Sequence, residues 1–145
     1  NIYSVFKEIT ALIPILLEKN FTLEIIEAEI TEERVKTEEP VQSKNKRRRF
    51  KKNWQKTGKR LEQTGKIFTL HGKSSYKKLI PKNLPDTFTS KDFFELLKKN
   101  APLVKRNDAN LMLWVLSKIE IINTVGKKGN AKIYSTQTKC YENVL

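Results

Sequence analysis

A dense run of cationic side chains between residues 44 and 52 limits how this chain can fold. Seven of the nine residues are basic: Lys44, Lys46, Arg47, Arg48, Arg49, Lys51 and Lys52. A packed core does not accept so many cations, because each would lose its hydration without gaining a partner. We therefore expect this run, with Phe50 and Trp54 interleaved, to be solvated or bound to phosphate groups.

The net charge of the chain is +13, and it is distributed unevenly. Residues 1–40 hold 4 basic and 9 acidic side chains, residues 41–83 hold 15 and 1, and residues 84–145 hold 10 and 6. A block as positive as the middle one is typical of proteins that bind a polyanion. A solubilising tail is the alternative interpretation.

The acidic residues 1–40 form the first predicted segment. Apolar residues at three- and four-residue steps predict a helix over residues 2–18, which Pro14 should kink or divide. The glutamates favour a second helix over residues 21–39, although the alternation of apolar residues from Phe21 to Ile25 leaves a strand open. We expect this acidic helical segment to make a homodimer or to dock on a protein partner or on the rest of the chain.

Residues 41–84 form the second predicted segment, a basic arm or linker. The charge changes sign across Pro40, which marks the boundary. Short strands are expected at residues 66–71 and 75–80.

The sequence is most informative from Thr89 onward. Thr89 and Asp92 have capping-box spacing, which predicts that a helix begins there. A second helix is predicted over residues 107–119, with Asn107 or Asp108 as its N-cap. Its core stripe consists of Ala109, Met112, Leu113, Leu116 and Ile119. A β-hairpin should follow, with Gly126 and Gly129 supplying the positive φ angles of a tight turn.

The predicted order of elements is a helix, a short helix, a third helix and a two-stranded hairpin. This order resembles that of a winged helix-turn-helix domain. The positions that carry the resemblance are Ala109, Leu113, Leu116, Ile119, Ile121, Ile122 and Gly126. Glu120 stands where such families often have a glycine. The resemblance covers about residues 85–136, leaves residues 137–145 as a tail, and indicates a superfamily only. Residues 1–84 show no resemblance of this kind.

The resemblance implies DNA binding, with the third helix in the major groove. The expected recognition residues are Lys105, Arg106, Asn107 and Asn110, where Asn110 can read adenine through its amide. The expected phosphate contacts of the hairpin are Lys127, Lys128 and Lys132. Arg47, Arg48, Arg49, Lys51 and Lys52 should neutralise phosphates or enter a minor groove. Leu111 and Trp114 are unusual on a groove-facing surface and instead favour protein docking.

Catalytic chemistry has little support in the sequence. His71 and Cys140 are the only residues of their types, and no local pattern pairs them. No paired-carboxylate motif indicates a two-metal nuclease, and a single His and a single Cys cannot make a four-ligand zinc site. We therefore expect no enzyme activity, cofactor or metal. No apolar run is long enough to span a membrane.

We therefore predict an α+β fold that is mainly helical. It would have an acidic helical N-terminal segment, a basic arm and a C-terminal winged helix-turn-helix with a β-hairpin wing. The function expected from it is nucleic-acid binding, of duplex DNA rather than RNA, by a regulator of transcription or replication. The alternative is a structural or assembly component of a virion or ribonucleoprotein that docks proteins. The expected locations are the cytoplasm or nucleoid, the nucleus, or a virion.

Overall fold

The computed structural model of this protein describes residues 1–42 and 51–136. The chain divides into two compact units. The first consists of residues 1–25 and the chain from residue 68 onward, with 16 basic and 9 acidic side chains. The second consists of residues 26–67, with 13 basic and 7 acidic side chains. Each unit is thus positive in itself.

The described elements form two antiparallel sheets and three α-helices, preceded by two 3-10 helices. In chain order they are the 3-10 helices Ile2–Lys7 and Thr10–Ile15, β1 (Leu23–Val41), β2 (Lys52–Leu70), α1 (Gly72–Lys77), β3 (Thr87–Thr89), α2 (Ser90–Asn100), α3 (Arg106–Lys118), β4 (Asn123–Lys128) and β5 (Ala131–Ser135). Strands β1 and β2 form one sheet, and the other sheet has the order β3-β5-β4.

Helix α3 is at the centre of the core of the first unit. The predicted stripe of Ala109, Met112, Leu113, Leu116 and Ile119 is buried, and so is Val115. The first 3-10 helix packs against α3 and contributes Phe6. Ile9, Leu16 and Leu70 are buried in the same cluster, so the N-terminal residues complete this core.

Helix α2 begins as the sequence predicts. The carboxylate of Asp92 accepts the backbone N–H of Thr89 at 2.9 Å, and the Thr89 hydroxyl accepts the backbone N–H of Asp92 at 3.4 Å. This capping box satisfies two backbone donors at the helix start. The hydrogen bond from the Thr89 backbone also holds the pKa of Asp92 below its ordinary value.

Helix α3 ends in a left-handed turn at Glu120. The backbone N–H of Ile121 donates to the carbonyl of Leu116 at 3.0 Å, and that of Glu120 donates to Ser117 at 3.2 Å. These two bonds make a Schellman motif, which places its C′ residue in the left-handed region. Glu120 occupies that position with φ 61°, a region that glycine adopts more readily.

Strands β1 and β2 pair antiparallel, because residues later in β1 contact residues earlier in β2. Glu29 accepts a hydrogen bond from Gln63 at 2.6 Å, and the backbone carbonyl of Glu33 accepts one from the Thr57 hydroxyl at 3.4 Å. β1 holds 7 acidic and 2 basic side chains, whereas β2 holds 1 and 5. An acidic strand is thus paired with a basic one, an arrangement that favours opposite charges across the strands.

The predicted mainly helical fold is wrong. Strands account for 41% and helices for 33% of the described residues. The helix expected over residues 21–39 is strand β1, because pairing with β2 outweighs the helix propensity of its glutamates. The helix expected over residues 2–18 is two 3-10 helices that end before Leu16, and Pro14 lies inside the second.

Three further expectations are corrected. Residues 66–70 are the end of the 19-residue strand β2, and residues 75–77 belong to α1 rather than to a strand. No short helix lies between α2 and α3, where residues 101–105 form a turn. The predicted C-terminal hairpin is present as β4 and β5, and β5 also pairs with β3. A winged helix-turn-helix domain is not shown.

Substituting Glu120→Gly should stabilise the protein, because glycine adopts the left-handed conformation without the steric cost of a Cβ atom. We expect the free energy of unfolding to rise by about 1 kcal/mol in chemical denaturation. Glu120→Ala is the control, since it removes the same carboxylate but keeps the Cβ atom. An equal gain in both variants would show that charge, not backbone conformation, is responsible.

Candidate nucleic-acid interface

The β4–β5 hairpin closes with a two-residue turn at Gly129 and Asn130. Lys128 pairs with Ala131 on either side of the turn, and Lys127 pairs with Lys132 one step further from it. Gly129 takes the positive φ of 60° that the first turn position needs. Gly126 does not take the expected positive φ. It lies in β4 beside an irregularity in the register after Thr124.

The lysines of this hairpin carry charge that the described residues do not compensate. Lys127, Lys128 and Lys132 are exposed, and neither β4 nor β5 contains an acidic residue. No residue in the described ranges forms a salt bridge with any of the three. Like charges directly opposite each other on neighbouring strands are destabilising. The fold therefore gains nothing from placing Lys127 opposite Lys132.

The start of α3 presents the four expected recognition residues. Lys105, Arg106, Asn107 and Asn110 are all exposed. The helix begins at Arg106 with Lys105 as its N-cap, so neither Asn107 nor Asp108 has the predicted N-cap role. Asp108 is buried and accepts the backbone N–H of Lys105 at 3.2 Å, which fixes the position of the first turn.

Two apolar residues on α3 were expected to dock a protein, and they differ in exposure. Leu111 is partly buried and packs against the core. Trp114 is 45% exposed, and the Nζ of Lys118 lies 6.0 Å from the centre of its ring. The side chain of Trp114 is therefore accessible to a partner, whereas most of the Leu111 side chain is covered by the core.

The second unit contains a charged cluster around Trp54, which we call the Trp54 cluster. Its members are Glu32, Arg34, Lys52, Trp54 and Lys56. The Nζ of Lys52 and the Cζ of Arg34 lie 4.2 Å and 4.3 Å from the centre of the Trp54 ring, within the range of cation–π attraction. Of the five arm residues expected to bind phosphate, Lys51 is exposed and Lys52 belongs to this cluster. Arg47, Arg48 and Arg49 lie outside the described residues.

Glu32 links two cations of the Trp54 cluster. Its carboxylate accepts a hydrogen bond from Lys56 Nζ at 2.6 Å and another from Arg34 at 3.0 Å. These contacts, with Lys56 as the main cause, lower the pKa of Glu32 from 4.5 to about 2. The cluster keeps a surplus of positive charge, because three cations share one carboxylate.

The structure brings the expected site residues together in small groups. The three hairpin lysines are neighbours in register, and the four residues at the start of α3 share its first two turns. Sequence reasoning missed Arg34, which lies in the acidic segment and reaches Trp54 only because β1 pairs with β2. Its position as one of two cations among the glutamates of β1 was the only local signal for it.

The described residues contain no group of three or more His, Cys, Asp or Glu side chains that could hold a metal ion. His71 directly follows β2, and its Nδ1 lies 2.9 Å from the backbone carbonyl oxygen of Phe21. Cys140 lies outside the described ranges. No helix within those ranges is long and apolar enough to cross a membrane.

Part of the chain matches a known protein family. Residues 1–71 match a family described as a domain of unknown function (DUF8091), and this match covers slightly less than half of the chain. No curated protein matches the chain. No solved structure matches it either. Nothing in these comparisons indicates the winged helix superfamily.

The low pKa of Glu32 predicts how the Trp54 cluster responds to acid. Because the folded pKa lies below the ordinary value, the contribution of Glu32 to stability is present above pH 4.5 and is lost as the pH falls through about 2. A carbon-detected NMR titration of the Glu32 carboxyl group should therefore give a midpoint near 2.

Lys56→Ala should move that midpoint back toward 4.5. Lys59→Ala is the matched control, since it removes an exposed lysine of the same strand that has no recorded contact with Glu32. Equal shifts in both variants would mean that the overall charge of the strand, and not the Lys56 hydrogen bond, sets the pKa.

Proposed function

We propose that the protein binds nucleic acid, preferably duplex DNA, through phosphate contacts. The observation that carries this proposal is the placement of Lys127 opposite Lys132 in a hairpin without acidic residues. This arrangement opposes folding, and a polyanion would relieve it by neutralising both charges. Lysine contacts of this type supply affinity and little sequence information.

The start of α3 supports the preference for a duplex. An α-helix fits the major groove, where Asn can contact adenine through two hydrogen bonds and Arg can contact guanine in the same way. Arg106, Asn107 and Asn110 are exposed side chains of these types on the first two turns. Lys105 would add a phosphate contact. Such a protein would act as a regulator of transcription or replication rather than as an enzyme.

The second unit would add backbone contacts. Its seven acidic side chains all lie in the paired strands β1 and β2, whereas seven of its thirteen basic side chains lie in residues 44–52. The surplus of positive charge in this unit is therefore concentrated in the run that the sequence singles out. Arg47, Arg48 and Arg49 belong to that run and would neutralise phosphates.

The double variant Lys127→Ala, Lys132→Ala should weaken binding to random duplex DNA by about tenfold or more. The slope of the logarithm of the binding constant against the logarithm of the salt concentration should also become less steep by about two. Each lost phosphate contact removes about 0.9 from that slope. Fluorescence anisotropy at several salt concentrations, with single-stranded RNA for comparison, measures both quantities.

The control is Lys7→Ala, Lys91→Ala, which changes net charge equally but removes lysines already paired with Glu8 and Glu95. The hairpin variant should in addition unfold no more easily than the parent, because it removes a like-charge pair. A salt slope that falls equally in both variants would contradict a phosphate role for the hairpin.

A second candidate function is docking of a protein partner within an assembly, and the exposure of Trp114 favours it. Large aromatic side chains are enriched at the energetic centres of protein interfaces. Under this alternative, the basic run of residues 44–52 would lie among nucleic acid or acidic partners. The Trp114 face of α3 would then bind protein instead of a DNA groove.

Trp114→Ala separates the two functions. If α3 contacts DNA through this face, duplex affinity should fall several-fold in the anisotropy assay. If the face docks a protein, DNA affinity should stay unchanged while a partner cross-linked near position 114 is lost. Leu103→Ala is the control, since Leu103 is a highly exposed apolar residue outside α3.

A further inference from the structure

A basic cleft in the first unit belongs to none of the surfaces described above. It has a volume of about 380 Å³ and is formed by three separate segments of the chain. Tyr3 comes from the first 3-10 helix, and residues 78–83 lie between α1 and β3. The end of α2 contributes Leu96, Leu97, Lys99 and Asn100. This volume lies within the range of about 300–1,000 Å³ that is usual for small-molecule sites.

The cleft combines an apolar floor with cationic sides. Pro81 and Leu97 are buried and line its floor. Lys78, Lys82 and Lys99 also line it, and none of its lining residues is acidic. Apolar surface beside several convergent donors is the usual composition of a site for a small polar ligand.

The three lysines that line the cleft have no acidic partner among the described residues. Within the described ranges, none of them forms a salt bridge. The negative end of the helix dipole accounts for Lys98 and Lys99 at the end of α2, but Lys82 lies outside every helix. A bound anion would supply the negative charge that the lining of the cleft lacks.

We propose that this cleft binds a nucleotide, with its phosphate groups against Lys78, Lys82 and Lys99 and its base on the apolar floor. Lysine binds phosphate through charge-assisted hydrogen bonds. The apolar floor offers the base a surface that a free phosphate would leave unused. The nucleotide can be a free molecule or one residue of a bound strand. The cleft proposal does not depend on the hairpin contacts with DNA.

Adjacent lysines provide matched controls for a test. Lys99 lines the cleft, whereas Lys98 on the same helical turn lies 5.7 Å from the Phe94 ring and does not line it. Lys78 lines the cleft, whereas Lys77 does not. The two alanine variants of each pair change net charge equally, and only one of them removes a cation from the lining of the cleft.

The experiment is a titration of the full chain with a nucleoside diphosphate that carries a fluorescent group on its ribose. We expect saturable binding that weakens by about tenfold in Lys78→Ala and Lys99→Ala and stays within twofold of the parent in Lys77→Ala and Lys98→Ala. Absence of saturable binding at millimolar nucleotide, or equal losses in all four variants, would overturn the proposal. Circular dichroism of each variant excludes unfolding as the cause.

Two competitors identify the ligand and its source. Pyrophosphate should displace the labelled nucleotide at least tenfold less effectively than the unlabelled nucleotide does, and equal displacement would overturn the role of the apolar floor. A short single-stranded oligonucleotide that competes, and that also loses affinity in Lys78→Ala and Lys99→Ala, would identify the source as a bound strand. An oligonucleotide without effect would identify a free nucleotide. Either result supports the cleft.

Discussion

The packing of the N-terminal residues against α3 is the interaction on which the rest of the structure depends. Phe6, Ile9 and Leu16 are buried in the same core as the α3 stripe, although about a hundred residues separate them in sequence. Leu70, the last residue of β2, is buried in that core as well. Residues 26–67 lie between Leu16 and Leu70 in the sequence, and their strands β1 and β2 pair with each other as an antiparallel hairpin.

Pairing within this hairpin also determines where positive charge remains available. β1 supplies the acidic partners of β2, so that cations such as Lys56 are neutralised inside the fold. The lysines of β4 and β5 and those of the cleft have no such partner among the described residues. Net charge alone would rank the basic block of residues 41–83 as the only candidate interface. In the structure, Lys56 of this block is paired with an acidic residue, whereas Lys78 and Lys82 of the same block form no salt bridge within the described residues.

Local signals predicted the part of the fold that depends on local interactions. The capping box at Thr89 and Asp92, the buried face of α3 and the hairpin after Ile122 each follow from residues close in sequence. Strand β1 could not be predicted in the same way, because its glutamates favour a helix until a basic strand lies beside them. The contact of Arg34 with Trp54 and the cleft could not be predicted for the same reason, because each brings together residues that are far apart in the chain.

The family match and the structural units divide this chain at different places. Residues 1–71 include the whole of the second unit but only part of the first. Phe6, Ile9, Leu16 and Leu70 lie within the matched segment, yet the side chains that cover them come mainly from residues 76–122. The matched segment includes the paired strands β1 and β2, whereas the remainder of this chain supplies most of the core of the first unit.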